Sequence, residues 1–542
     1  MERRIEIEFE MAREWEVRMR NSASARADRC GCRSRHKKGR ILSRRFVLQH
    51  QSFQSVFSAR AGKGRRIFAG CLLLLLALSL IKISCQAFPR IGPEYQAPTN
   101  NAPNVYKATE FGEWKIGNPS DAAPKGRWWD VFNDPTLNHL EERAARSNQD
   151  LKAAFARVEQ ARANARMSRA ELLPSLNADP AWRRERYSPN QQPSFGALTA
   201  TTIRVPLDFS YEVDLWGRVR RGFEAARASA QATQAAYENV LLTLQGDVAQ
   251  MYFSIRALDA EIDTVTRTVE LRRQQLQLVR SRFEGGIGNE LDVARAETEL
   301  ASTESEASAL ARRRAEYENS LAVLLGEFPS NFKLAATPTN SVWTATAPQI
   351  PVGLPSELLE RRPDIAQAER ELAAANARIG IAKAAYFPVL SLTGSGGYVS
   401  AEFDNLFDWG SRIWSIGPSL SIPILANART KANVRRTRAA FEEGAARYRG
   451  QVLIAFSEVE NSLAGIRFLV EQAAAQDRAV SSSQRAADLA RERYQSGISS
   501  YLEVVDANRA ALAAQRVRAQ LMGQRLIASV QLIKALGGGW HR

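Results

Sequence analysis

Residues 203–216 read IRVPLDFSYEVDLW. Every odd position is apolar: Ile203, Val205, Leu207, Phe209, Tyr211, Val213 and Leu215. The even positions Arg204, Asp208, Ser210, Glu212 and Asp214 are polar, and Pro206 is a turn former. Alternation with a period of two predicts a β-strand with one oily face and one charged face. An ordinary strand has about five or six residues, whereas a tilted strand that crosses a bilayer needs about 9–11. In lipid every backbone group must be paired, so such a strand belongs to a sheet that closes on itself, with apolar side chains outside and polar ones inside.

The stretch recurs. RFEGGIGNELDVARA (282–296) and RYQSGISSYLEVVDA (493–507) align at an offset of 211, which also pairs Arg267 with Arg478, Leu291 with Leu502 and Gly326 with Gly537. The same offset lays Val205, Phe209, Tyr211 and Val213 on Ile416, Leu420, Ile422 and Ile424, and upstream Asp150 and Pro174 match Asp364 and Pro388 at 214. The chain is therefore an internal duplication, and each half carries the same string of elements.

In the first half a helix covers about 138–172 and stops at Pro174, with strand-like runs at 175–188 and 203–216 after it. A proline-free span to Phe328 then breaks once, at EGGIGN (284–289), which predicts a helix of about 66 residues, a tight reversal and a return helix of about 36. The second half repeats the pattern with a helix at 364–386, strands near 389–402 and 414–424, and helices near 428–494 and 501–536 around a tip near 495–500. At about 1.5 Å per residue the long helix reaches roughly 100 Å. Its return partner covers about half of that, so two short helices stacked end to end line each long one. The fold class is α+β: long, lined helices joined to a sheet that closes as a membrane β-barrel. Four strands per chain cannot enclose a lumen, since about eight barely hold a filled interior; three chains would supply twelve. A soluble two-layer sandwich is the competing reading of the strands, and a filamentous coiled coil that of the helices.

The formal charge of +16 is not spread evenly. Residues 1–70 hold 18 Lys/Arg against 7 Asp/Glu and Lys82 adds one more, leaving +4 for the body. Nucleic-acid binding is excluded as the main reading, since no basic face survives. Within GKGRRIFAGCLLLLLALSLIKISC a basic cluster precedes an apolar run from Cys71 to Ile81, the order of a secretory signal peptide. The 1–70 leader shows no fold signal and is expected to be absent from the mature protein, with translation starting nearer the basic cluster. All four cysteines, Cys30, Cys32, Cys71 and Cys85, lie in or beside this region, so the body has no disulfide framework. Cys85 is the candidate lipidated residue, although Lys82 stands where a lipidation signal has a leucine-like residue. The segments are thus 1–70 leader, 71–85 signal, 86–137 extended, 138–326 first repeat, 327–363 linker and 364–537 second repeat.

Nothing in the body forms a catalytic constellation. His139 and His541 are its only histidines and lie in unlike segments, and no nucleotide-binding glycine loop, cofactor site or metal cluster is apparent. Met167, Met251 and Met522 are too few for a thioether relay that would carry soft metals.

The segments IGPEYQAP (91–98), WWDVFNDPTLNHL (128–140), YEVDLWGRVRR (211–221), LPSELLERRPDIAQAE (354–369) and AAYFPVLSLTG (384–394) occur in an order that resembles the TolC-like outer-membrane efflux proteins, in the lipoprotein branch serving resistance-nodulation-division pumps. The resemblance covers about 90 to 540. It implies a homotrimer in outer-membrane lipid, a barrel of twelve strands on a periplasmic helical barrel, and a passive duct rather than an enzyme. It implies as partners a periplasmic adaptor, docking at the hairpin tips (Gly285, Gly286, Gly288, Ser496, Gly497), and an inner-membrane pump. In the segment YLEVVDANR it carries a gate onto Leu502 and Asp506, with Arg509 as the nearby basic partner. A spacing of four puts Leu502 and Asp506 on one helix face, where three-fold repetition makes an apolar ring and an acidic ring. A surface Asp in a first helical turn is the plainer reading of Asp506. A duct for type I protein secretion and a periplasmic coiled-coil adaptor without a barrel are the alternatives; the Cys85 context favours efflux over secretion.

Overall fold

A computed structural model describes residues 89–96, 126–190, 198–336, 348, 361–425 and 427–538. The leader, the signal segment with Cys85 and most of the 327–363 linker lie outside the described residues. The elements are α1 (Pro135–Ser147), α2 (Gln149–Ala170), β1 (Ser175–Asn177), β2 (Ala181–Tyr187), β3 (Leu198–Val213), α3 (Arg218–Glu284), α4 (Glu290–Leu324), α5 (Pro363–Ala384), β4 (Val389–Ser400), β5 (Arg412–Ser421), α6 (Asn427–Gln495) and α7 (Tyr501–Ala535).

The two long helices run 67 and 69 residues, roughly 100 Å each. The helix expected over 138–172 is two helices, and the break has a cause. Asn148 leaves helical geometry at ψ 132°, accepts Leu151 N–H on Oδ1 at 2.9 Å to cap α2, and donates its amide to Leu324 O at 2.9 Å. One residue thereby caps two helix ends, satisfying groups that would otherwise lack partners. This places α4 end to end with α1 and α2. Along α3, Gln234 meets Arg162 of α2, and Gln245 and Tyr252 meet Trp128 and Asp134 just before α1, while α4 meets Asp259, Arg273 and Arg280. The second half repeats the joint: Arg362 donates to Ala535 O at 2.8 Å. Gly326 and Gly537, at φ +70° and +87°, let the chain turn where Ser147 and Arg361 press on them.

The sheet is antiparallel in the order β1/β2–β3–β4–β5, with β1 and β2 both along one edge of β3. The expected run 175–188 is therefore one strand in two pieces, interrupted at Ala178–Pro180 where proline supplies no N–H. Strand β3 begins at Leu198 and stops at Val213; Asp214 to Trp216 turn into α3. The register carries the alternation across the sheet. Phe209 pairs with Leu176 and Gly394, and Gly394 with Ile416; Tyr211 pairs with Leu392; Gly396 joins Leu207 to Trp414. Much of that apolar face is solvent-exposed in a single chain, with Trp414 80% and Ile416 82% accessible, although Ile203 and Tyr211 are buried. The opposite face carries Asp208, Ser210, Glu212, Ser391, Thr393, Ser395, Ser415 and Ser419.

The largest buried cluster lies where α1, α4 and α7 meet the middle of α3: Trp128, Trp129, Leu137, Leu140, Val248, Phe253, Leu321 and Val530. Glu141 is wholly buried in α1 without a hydrogen-bond partner, and burial pushes its carboxyl well above the usual range. Burial of this kind favours the neutral form of a carboxyl over its charged form.

Candidate functional site

Two regions determine what this architecture can do: the joint between sheet and helices, and the hairpin tips at the far end of the long helices. At the joint, the YEVDLWGRVRR segment reads as a strand-to-helix transition. Glu212 takes Arg218 with both oxygens, at 2.8 and 2.6 Å. Asp214 accepts from the Arg220 backbone N–H at 2.9 Å and its Nε at 3.1 Å, capping α3 where Gly217 (φ +80°) has no side chain to offer. Trp216 donates to Pro388 O at 2.8 Å and stacks on Phe387 at 4.6 Å, tying the β3 exit to the β4 entry.

The IGPEYQ strap locks onto this joint. Ile91 N–H donates to Trp216 O at 3.1 Å, and Asn376 donates to Pro93 O at 2.9 Å. Gly92 (φ +115°) lies so near Gly380 that an added Cβ would sit 2.6 Å from its Cα. The Arg221 side chain is fully buried beneath the strap and bonds Glu94 at 2.7 Å and Glu224 at 2.8 Å. Sequence reasoning missed this use of Arg221 because Glu94 is far away along the chain. The strap thus fixes the segment just after Cys85 at the base of the sheet.

At the other end the two tips have the same turn. Gly286 and Gly497 adopt φ +73° and +74°, and Ile287 N–H and Ile498 N–H donate to Arg282 O and Arg493 O, both at 2.9 Å. An added Cβ on Gly285 would lie 3.3 Å from Ser281 O, and on Gly288 3.1 Å from Phe283 N, so both positions are tight. Ser496 closes its own turn by donating to Glu492 O at 2.9 Å. Ile287 and Ile498 project from the turns at 83% and 70% exposure. The sequence signal that could have found them is the 211 offset, which matches one exposed apolar residue to another inside each reversal.

On α7, Tyr501, Val504 and Val505 are buried against Leu276, Val279 and Ala296. Leu502, Asp506 and Arg509 fall on the opposite, exposed stripe, as spacings of four and three require. Leu502 is 42% exposed. Arg509 is turned toward the first repeat: its Nε donates to Glu299 Oε1 at 2.8 Å, and that carboxylate raises the guanidinium above its ordinary value. Asp506 has no hydrogen-bond or ion-pair partner among the described residues. The structure therefore groups Leu502 with Asp506 and assigns Arg509 a bracing contact. Glu299 also pairs with Arg272, and Arg516 with Glu261 and Glu306, so a charged seam joins the two hairpins. In the first repeat Arg295 occupies the position equivalent to Asp506 and pairs with Asp292 at 3.5 Å. No cluster able to hold a metal ion occurs among the described residues.

The family described as "Outer membrane efflux protein" matches residues 140–327 and 354–538. The solvent efflux pump outer membrane protein SrpC of Pseudomonas putida is 34% identical over 463 residues, covering 83% of this chain and 95% of that protein. The pyoverdine export outer membrane protein OpmQ of Pseudomonas aeruginosa is 37% identical over 429 residues, with 78% and 89% covered. Among solved structures, the Campylobacter jejuni CmeC outer membrane channel superposes with a TM-score of 0.76 at 25% identity, covering 83% of this chain and 95% of that one.

Proposed function

Because this chain belongs to the outer membrane efflux protein family, and so serves as an outer-membrane efflux channel, we propose that it acts as the passive exit duct of a tripartite pump, in a homotrimer whose subunits share one barrel. The observation that supports this most is the sheet. From Ile203 to Val213 the apolar face spans ten residue steps, roughly 34 Å along the strand, or about 26 Å of height at the tilt of a membrane strand, against an apolar band of about 25 Å. Trp182 pairs with Ile203 at the outer limit of that band, and Arg184 and Arg186, opposite Thr201 and Thr199, lie beyond it on the same face. An aromatic residue followed by cations is the order of a membrane–water interface. No described helix is long and apolar enough to cross a membrane, so the sheet is the element that carries this reading.

Both sheet edges are open, β1/β2 on one side and β5 on the other. Among the helices, α3 packs against α1, α2 and α4 on one side and α5 and α7 on the other. Helix α6 packs along its length chiefly against α5 and α7, meets α3 at the tip through Arg282 and Tyr494, and exposes Leu453 and Phe468. Head-to-tail closure, α6 against the α2/α4 side of the next copy and β5 against its β1/β2 edge, covers both sets of open surfaces. Cys85 lies five residues before Arg90, within about 17 Å of extended chain, so a lipid on it reaches the inner leaflet beside the joint. The exposed Ile287 and Ile498 suit an adaptor whose helical tips meet the hairpins. Energy and substrate choice belong to the pump; small organic solutes are the substrate class, as the names of SrpC and OpmQ indicate for those proteins.

The test is transport. In a Gram-negative strain lacking its own outer-membrane duct, co-expression with a matched adaptor and pump lowers accumulation of a fluorescent dye to the level of the complete strain. Unchanged accumulation, with the protein present in the outer-membrane fraction, refutes the efflux reading.

A further inference from the structure

The hairpin tips hold a contact that occurs once among the described residues of a chain although its parts are present twice. At the end of α3, Arg282 donates to Tyr494 O at 3.0 Å and Gln495 O at 2.8 Å, the last carbonyls of α6. Its guanidinium also lies over the Tyr494 ring, 4.8 Å from the centroid. Helix C-termini leave such carbonyls without partners inside the helix and carry partial negative charge, so a guanidinium with two aligned donors is the natural cap.

The 211 offset maps Arg282 onto Arg493, Tyr494 onto Phe283 and Gln495 onto Glu284. All three parts of the contact are therefore duplicated. Phe283 supplies the ring and is 43% exposed. The carbonyls have equivalent surroundings, since Gly286 N–H donates to Phe283 O and Gly497 N–H to Tyr494 O, both at 3.0 Å. Arg493 is exposed and has no partner among the described residues.

We propose that Arg493 of each subunit makes, across the subunit boundary, the clasp that Arg282 makes inside the chain. It donates to the carbonyls of Phe283 and Glu284 of the adjacent copy and stacks on that copy's Phe283. The inference rests on the trimeric reading above and adds to it a specific latch. Three clasps lie within chains and survive any relative movement of subunits. The three between chains are the ones that must open when the mouth widens. Because Arg493 stands at the end of α6 and Leu502 begins the next helix, releasing the latch frees the segment that carries the gate.

Two experiments test this in the full-length protein, whose sequence has no cysteine after Cys85. With Arg493→Cys and Glu284→Cys in one chain, a short bis-maleimide gives covalent two- and three-chain species, whereas Arg282→Cys with Gln495→Cys gives a single-chain product. A particle that light scattering shows to be trimeric but that yields only single chains from the first pair overturns the latch and leaves the channel reading intact. A monomeric particle overturns both. In planar bilayers Arg493→Ala raises the resting conductance and Arg493→Lys restores it in part, because an ammonium does not present the paired donors. Resting conductance in Arg493→Ala equal to that of the parent overturns the latch.

Discussion

The double variant Leu502→Ala, Asp506→Ala is expected to conduct several-fold more current than the parent channel in planar bilayers. The reason is local. Tyr501, Val504 and Val505 hold the start of α7 against Leu276, Val279 and Ala296, so the backbone stays in place when the exposed stripe is trimmed. On the gate reading Leu502 supplies the apolar ring, and an apolar constriction resists wetting. On the same reading Asp506, which has no hydrogen-bond or ion-pair partner among the described residues, supplies the acidic ring, so its removal also weakens the preference for cations. Arg509 stays braced on Glu299 in this variant, which keeps the two hairpins joined. Equal single-channel current and ion selectivity in variant and parent would remove Leu502 and Asp506 from the gate.

The second large effect concerns stability. Gly326→Val is expected to lower the thermal unfolding midpoint sharply, while Gly286→Ala is expected to be tolerated. Both glycines have positive φ, near +70°. That alone costs a substituted residue about 1–2 kcal/mol. Their surroundings differ. Around Gly286 nothing lies within 4 Å of an added Cβ, but at Gly326 that atom would sit 2.4 Å from Ser147 O. The obstacle is the backbone at the α1–α2 break, the same place where Asn148 bonds Leu324. A branched side chain there must push the stacked helices apart, adding an overpacking cost of about 1–3 kcal/mol. Thermal unfolding of the two variants checks the contrast. Similar midpoints for both would show that the end-to-end joint does not set the spacing of the helices.

Much of this was legible because the controlling patterns are local and repeated. The odd-position run from Ile203 to Val213 reads directly as the apolar face, and the glycines of 284–289 as the reversal. Length arithmetic required α4 and the upstream helices to share α3 between them. The features that escaped depend on groups brought together only by folding. The break at Asn148 sits in a segment of good helix formers, and its cause is the carbonyl of Leu324, distant in sequence. The interruption of the first strand was signalled by Pro180 but masked by the arginine-rich stretch around it. Arg221 reads as one of several arginines in VRR until Glu94 is folded over it. Arg282 and Arg493 stood in the aligned repeat, but their role needs the helix ends that lie beside them.

On the trimeric reading, the open sheet edges of one chain are completed by other copies of itself. A cryo-electron microscopy reconstruction of the full-length protein in lipid nanodiscs tests it most directly. The account predicts three chains around one closed barrel, with β5 of each hydrogen-bonded to the β1/β2 edge of the next. A particle with one chain, or with a sheet whose β5 edge stays unpaired in lipid, contradicts it.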